Sequence, residues 1–283
     1  MLMKFRLSLT VVFSSLVGYL LASSPPFSHI DIFCLIIGGL LITGSANTFN
    51  QILEISYDAL MARTEKRPLP TKELSPTQAM IFGFFLGALG FISLYQISPG
   101  GLKSCWFALL SILLYVLVYT PLKRRSPVAI FIGAFPGAIP ILLGWAAATN
   151  DFGLESGLLF AIQFFWQIPH FIAISWVLDK EYKNAGFKMI IGGKKGAFPA
   201  LVSLFASVIM TIISVVPFFW SSNQLTLSLY PMLFIFALGI WFTLQSFKLY
   251  RSCDCIVARR LMFSSFLYLP AIQTLYILDK LFF

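Results

Sequence analysis

Long apolar stretches, unbroken by charge for helical lengths, alternate with polar connections along the whole chain. A helix needs roughly 17–25 residues to cross the hydrocarbon core of a bilayer. On that ruler nine spans are predicted, near residues 7–25, 30–51, 76–97, 104–121, 127–148, 156–177, 198–220, 225–247 and 260–278. The runs do not alternate apolar with polar, as the strands of an outer-membrane barrel do. The pattern predicts an all-α polytopic membrane protein, read as a single domain over 1–283. Connections near 23–26, 98–103, 150–155 and 221–224 are short, whereas those at about 52–75 and 178–197 are long.

Composition narrows the class. Of 283 residues, 58% are hydrophobic and 11% charged, against about a quarter charged in soluble domains. A water-soluble globule is excluded, as is a disordered chain, which lacks apolar mass. The 4 cysteines are too few for a disulfide scaffold of this length. A net charge of +9 would suggest nucleic acid in a soluble protein, but here topology accounts for it. Eighteen of the 20 Lys and Arg fall on one side of the nine spans, and only Lys103 and Lys280 on the other. Cytoplasmic loops concentrate basic residues, so the N-terminus is expected in the cytoplasm and the C-terminus outside. The first span, with weak cleavage geometry and further spans behind it, reads as a retained helix rather than a signal peptide.

Acids crowd among these bases. Glu54, Asp58, Glu65, Glu73, Asp179 and Glu181 lie in the two long connections or at the span ends leading into them. Topology requires none of them. Asn50, Glu54 and Asp58 are spaced four residues apart, so on a helix they share a face along about 12 Å. Hard oxygen donors in that arrangement suit Mg²⁺, which binds through one or two carboxylates and substrate phosphates. On spacing alone, solvated acids offsetting Lys66 and Arg67 are an equal reading. Arg63 and Arg67, one turn apart, add bidentate phosphate donors. Carboxylates for a metal beside arginines for phosphate point to a diphosphate site.

The segment from Asn50 to Pro70, with its Met61-Ala-Arg63-Thr64-Glu-Lys-Arg67-Pro68 portion, resembles the first motif of the UbiA-type intramembrane prenyltransferases, and within them the branch that farnesylates protohaem IX. Tyr119-Thr-Pro-Leu-Lys123-Arg124 is similar to the element closing the family's fourth span, and Gly133 to Trp145 to its Gly/Pro-rich fifth span. Trp166-Gln167-Ile-Pro169-His170-Phe171, then Glu181-Tyr182-Lys-Asn-Ala185-Gly186, resembles the signature of the haem branch. Ala258-Arg259-Arg260 through Tyr268 also fits. There are departures. Ile55 and Ser56 stand where the family usually has Arg-Asp, and Lys183 stands where a second Asp would follow Asp179. Glu181 takes the acid position of the haem branch, no Asn is evident around 127–129, and Ile141 replaces a frequent Pro.

The resemblance implies nine helices around a central cavity opening at the cytoplasmic face of a bacterial inner membrane. It implies farnesyl transfer from farnesyl diphosphate to a vinyl group of protohaem IX (haem B), with water addition, to give haem O and diphosphate. Asn50, Glu54 and Asp58, joined by Asp179 and Glu181, would hold Mg²⁺. Arg63, Arg67, Lys123 and Arg124 would neutralise the diphosphate, while Tyr119, Trp166, Trp145, His170, Glu181 and Tyr182 would line the substrates. Membrane lipid is the medium, and a haem A synthase or a terminal oxidase assembly factor would be a downstream partner.

His170 carries its own argument. Ionisable residues in apolar spans default to function, and imidazole is a common axial ligand of haem iron. The bland reading is a hydrogen bond to a neighbouring helix, near the carbonyl freed by Pro169. Other conspicuous features are read structurally. Cys253-Asp-Cys255 lacks a partner pair for a metal, and Gly192-Gly-Lys-Lys-Gly196 lacks P-loop spacing. Most of the 30 Phe are packing and lipid-facing residues, and Gly133 with Gly137 makes a small-residue face for helix approach. Two rival functions remain: prenylation of a quinone or chlorophyll precursor, distinguished by identifying the product, and secondary transport. The one-sided placement of the acids and the lack of an internal repeat weigh against transport.

Overall fold

The computed structural model describes residues 2–282 except Ser221 and Asn223. Part of the connection expected at 221–224 therefore lies outside the described residues. Among the described residues there is no strand, and nine helices are long and apolar enough to cross a membrane. They are α1 (Phe5–Ala22), α2 (His29–Leu53), α3 (Pro76–Tyr95), α4 (Gly101–Leu122), α5 (Ala129–Thr149), α6 (Leu154–Val177), α7 (Ala197–Phe219), α8 (Leu229–Ser252) and α9 (Cys255–Phe282). The expected all-α, nine-span class is observed. The largest shifts are at the end of α8, which runs to Ser252 rather than near 247, and at the start of α9, which begins at Cys255 rather than near 260, where a helical turn bearing Arg259 and Arg260 precedes its apolar run.

Local chemistry sets several starts. Ser28 accepts from the Asp31 amide at 3.2 Å before α2. Ser75 and Gln78 form a reciprocal capping box at α3, with Pro76 at its first position. Each helix then packs on its successor and α9 returns to α1, closing a ring, while α1–α5 and α6–α9 also pack across it.

Apolar side chains gain nothing by leaving lipid for one another, so helices in a membrane associate through close packing and interhelical hydrogen bonds. The α1–α5 crossing is close enough that a Cβ on Gly144 would lie 1.7 Å from the Ser15 carbonyl oxygen, and one on Gly18 2.1 Å from that of Ile141. Gly133 lies against the Tyr119 ring and Gly137 against Gln167, so the small-residue face expected in the fifth span is a packing surface. Midway through the bundle, Gln163 donates to the Gly137 carbonyl at 2.7 Å, and Gln273 donates to Ser14 at 3.1 Å and to Gln163 at 3.3 Å. These amides join α1, α5, α6 and α9. Beyond them, toward the end remote from the long connections, a narrow void is lined by Val17, Leu21, Ile141, Leu159 and Leu269.

Gly144→Val should force α1 and α5 apart and cost about 1–3 kcal/mol or more, the range for overpacking. Thermal unfolding in detergent should show a clear drop for this variant. Gly157→Ala, where an added Cβ meets nothing within 4 Å, should leave the midpoint unchanged.

Candidate active site

The end of the bundle that carries the long connections gathers most of the residues singled out above. α2 stops at Leu53; Glu54 turns out of helical geometry (φ −109°, ψ 11°), and a short helix, Ile55–Asp58, follows. The continuous stripe expected from the four-residue spacing is therefore broken at its centre. The Asp58 amide still bonds the Glu54 carbonyl at 2.7 Å, which keeps the two carboxylates one turn apart.

On the facing helix α4, residues Leu114–Tyr119 adopt π-helical geometry. Pro121 has no amide hydrogen to continue the ladder, and π segments recur at functional sites. The Thr120 hydroxyl donates to the Tyr115 carbonyl at 2.8 Å and accepts from Asn50 Nδ2 at 3.0 Å. Asn50 Nδ2 also donates to Glu54 Oε2 at 3.0 Å, while Asn50 Oδ1 accepts from Lys4 Nζ at 3.1 Å.

Each carboxylate has a cation. Lys123 Nζ lies 2.5 Å from Glu54 Oε1, and Arg67 Nη1 lies 2.6 Å from Asp58 Oδ2; the acids are 4% and 1% exposed. Thr64 fixes the turn by donating to the Asp58 carbonyl at 2.8 Å. The Lys123 amine sits between the rings of Tyr119 (5.1 Å) and Phe187 (5.2 Å), and Tyr115, Tyr119 and Phe171 stack in series. The connection 178–197 covers this region: the Lys188 amide donates to the Lys123 carbonyl at 2.7 Å, and Phe187 packs on Tyr57 and Tyr182. Burial raises the Tyr182 phenol above its ordinary value of 10.0, so it keeps its proton and stays a donor. Burial first, and then the charges of Arg67 and Lys123, push the Lys4 amine down to about 7. Three basic groups, Lys4, Arg67 and Lys123, face two carboxylates.

Other expected residues are placed differently. Arg63 is exposed and makes no ion pair among the described residues. Arg124 turns back onto α2, donating to the Leu53 carbonyl at 2.7 Å and to the Tyr57 hydroxyl at 3.2 Å, with its guanidinium 4.0 Å from the Tyr57 ring centroid. There it caps the negative end of a helix. Asp179 pairs with Lys183 at 3.0 Å and Lys195 at 3.6 Å. Lys183, standing where the family's second Asp would be, neutralises the first. The Oε2 atom of Glu181 is buried without a hydrogen-bond partner among the described residues. Asp179 and Glu181 do not close a cage with Glu54 and Asp58: among the described residues, no three His, Cys, Asp or Glu are grouped closely enough to hold a metal ion.

A second group lies on α6 and α9. Trp166 Nε1 donates to the Ser265 carbonyl at 3.0 Å, and the His170 ring stacks on Trp166 with centroids 4.8 Å apart. His170 Nδ1 is 2.8 Å from Ser265 Oγ, whose own hydrogen goes to the Met262 carbonyl at 2.6 Å. A hydroxyl has one hydrogen to give, so Nδ1 donates to Ser265 and Nε2 keeps its lone pair. The bland alternative for His170, a bond to a neighbouring helix, is thus met through Nδ1 while Nε2 stays available.

Among the described residues, nine helices long enough to cross a membrane form a ring, with a buried cluster of amide, carboxylates and basic groups at one end, which is the architecture of an intramembrane protein with a polar site at one face. The model of the UbiA prenyltransferase family matches residues 11–267, and the chain belongs to that family. It is 43% identical to the protoheme IX farnesyltransferase of Flavobacterium psychrophilum, over 98% of this chain and 92% of that protein. It is 42% identical to the protoheme IX farnesyltransferase of Cytophaga hutchinsonii, over 99% and 96%. Among solved structures, a digeranylgeranylglyceryl phosphate synthase superposes with a TM-score of 0.81 at 18% identity, over 98% of this chain and 95% of that one. A UbiA homolog from Archaeoglobus fulgidus bound to DMAPP and Mg²⁺ superposes at 0.69 with 17% identity, over 98% of both chains.

Sequence reading missed Lys4, Thr120, Tyr115 and Ser265. Lys4 is one base among many near a membrane face, and Thr120 and Ser265 are single hydroxyls in apolar runs; nothing in the primary pattern distinguishes them. Arg67→Met leaves Asp58 as a buried charge without its cation, which should cost about 3–5 kcal/mol. Adding Asp58→Asn should return most of that stability without restoring turnover. Thermal midpoints and activity measured on the same preparations separate the two effects.

Proposed function

We propose that this membrane enzyme transfers the farnesyl group of farnesyl diphosphate to a vinyl group of protohaem IX, with addition of water, releasing diphosphate and haem O. The observation that carries this reading is the kinship with protoheme IX farnesyltransferases over nearly the whole chain. The geometry of the basic end agrees with it.

Asn50 Oδ1 and the carboxylates of Glu54 and Asp58 are hard oxygen donors on one stretch of chain, each now met by a cation. The buried Glu181 Oε2 lacks any partner among the described residues. This donor set fits Mg²⁺, which needs few protein ligands when substrate phosphates complete its shell. When bound, Mg²⁺ supplies Lewis-acid neutralisation of the diphosphate. Asp179 would join through the 178–197 connection by exchanging its lysines for the metal.

In this proposal Arg67 and Lys123, released from the carboxylates, hold the diphosphate; exposed Arg63 would join by turning inward from the rim, and Arg124 would join only by leaving the carboxyl end of α2. The C1–O bond of the farnesyl group breaks and its electron pair leaves with the diphosphate, whose charge these residues bind more strongly as it develops. The ring faces of Tyr115, Tyr119 and Phe171 shelter the allylic cation, and the packed cover bearing Phe187 and Tyr182 keeps bulk water away from it. The vinyl group donates its π pair to C1, and water adds to the resulting cation and loses a proton. His170, oriented by Ser265, presents Nε2 to the haem iron, with Trp166 offering an aromatic surface to the macrocycle, whereas Trp145 is buried toward the opposite end of the bundle.

The proposal includes a cavity opening at the basic face, which lies in the cytoplasm of a bacterial inner membrane, with the N-terminus inside and the C-terminus outside. Product would pass to a haem A synthase or a terminal oxidase assembly factor. Haem extracted from a strain lacking haem O synthase should contain a hydroxyethylfarnesyl derivative by mass spectrometry only when this chain is expressed; an unmodified haem pool, or a prenylated quinone, overturns the reading. In the purified enzyme, diphosphate release should need Mg²⁺ and fall by at least about a hundredfold in Asp58→Ala, the scale for loss of an electrostatic catalytic contact. Full activity in that variant would refute the metal assignment. His170→Ala should raise KM for haem while leaving KM for farnesyl diphosphate unchanged.

A further inference from the structure

We propose that Lys4, delivered by the segment preceding α1, is a diphosphate-binding residue of this active site. The inference deepens the reading above and rests on it for the identity of the prenyl donor. A topogenic lysine would extend into the headgroups or solvent. Lys4 instead turns inward, and its amine donates to Asn50 Oδ1 at 3.1 Å.

The chain is built to keep it there. Gln51 Nε2 donates to the Leu2 carbonyl at 2.7 Å, and Asn47 Nδ2 donates to that of Met3 at 3.5 Å. The Ser8 hydroxyl donates to the same Met3 carbonyl at 2.8 Å. The Met3 side chain fills a notch that exists because residue 44 is glycine; a Cβ there would lie 2.8 Å from Met3 Cε. Lys4 itself adopts left-handed backbone angles, φ 45° and ψ 55°. A residue with a side chain holds that region only when its surroundings impose it, and such strain gathers at functional sites.

The charge balance says what the amine awaits. Lys123 and Arg67 each have a carboxylate, Glu54 and Asp58, whereas Lys4 meets only a neutral amide and makes no ion pair among the described residues. A cation drawn in from solvent needs a counter-ion or pairing hydrogen bonds, and the polyanion entering this site supplies one. The same contact makes Lys4 the residue that aligns Asn50 Oδ1 before substrate arrives.

The test uses the full chain in detergent or nanodiscs. Lys4→Met keeps the stem and removes the charge, Lys4→Gln leaves a neutral polar group, and Lys4→Arg restores the charge. Binding of inorganic diphosphate with Mg²⁺, followed by calorimetry, should weaken by about tenfold or more in Lys4→Met and Lys4→Gln. KM for farnesyl diphosphate should rise by a similar factor, KM for haem should stay put, and Lys4→Arg should recover most of the loss. Unchanged diphosphate affinity in either neutral variant overturns the proposal, as does an equal rise in both KM values, which marks a structural role. If the wild-type chain binds diphosphate but prenylates no haem, the reading of the acceptor fails while the calorimetric comparison still decides on Lys4.

Discussion

Uncompensated charge is costly inside a membrane protein, and the two carboxylates at the basic end of this bundle are organised by that constraint. Glu54 and Asp58 lie on the short stretch where α2 breaks and both are nearly inaccessible, so each needs a cation at contact distance. Lys123 comes from the end of α4 and Arg67 from the connection that leads to α3. These pairs tie three chain segments together. The aromatic rings around Lys123 and the cover carrying Phe187 exclude water and so strengthen each interaction. In the proposed reaction an incoming metal and polyanion would replace both partners without any charge being stranded.

The rest of the bundle lets those segments meet. Backbones of α1 and α5 approach to the point where only glycine fits at Gly18 and Gly144, and the Gln163–Gln273–Ser14 network satisfies polar groups that lipid could not. The π-helical stretch in α4 turns Thr120 toward Asn50, so an irregularity in one helix fixes the rotamer of a polar residue on another. Ser265 acts in the same way on His170, leaving one imidazole nitrogen occupied and the other free. The amide and the imidazole are each oriented by a hydroxyl whose own hydrogen is held by a backbone carbonyl.

How far this was legible in the sequence differs by residue. The nine spans were readable because crossing a bilayer imposes a length and a composition on every one of them. Glu54, Asp58, Arg67 and Lys123 stood out because charge is scarce, so a carboxylate near a span end already needs explaining. Arg124 and Arg63 had the same chemistry on paper, yet one caps α2 and the other faces outward. That distinction depends on where a helix stops, and the break at Glu54 left no mark in the four-residue spacing. Lys4 was hidden for the opposite reason: its type and position were fully accounted for by topology, and only its direction gives it a further role.

The sequence by itself determined the class of molecule, the number of crossings, the side on which charge collects and the family motifs, because each follows from transfer energies and residue order that hold at every position independently. The tertiary structure alone decided which cation meets which acid, which hydroxyl orients Asn50 and His170, and which arginines are engaged in holding the fold. Those outcomes depend on distances of about 3 Å between residues from 9 to 95 positions apart. Such distances are set by how nine helices pack, and no local pattern encodes them.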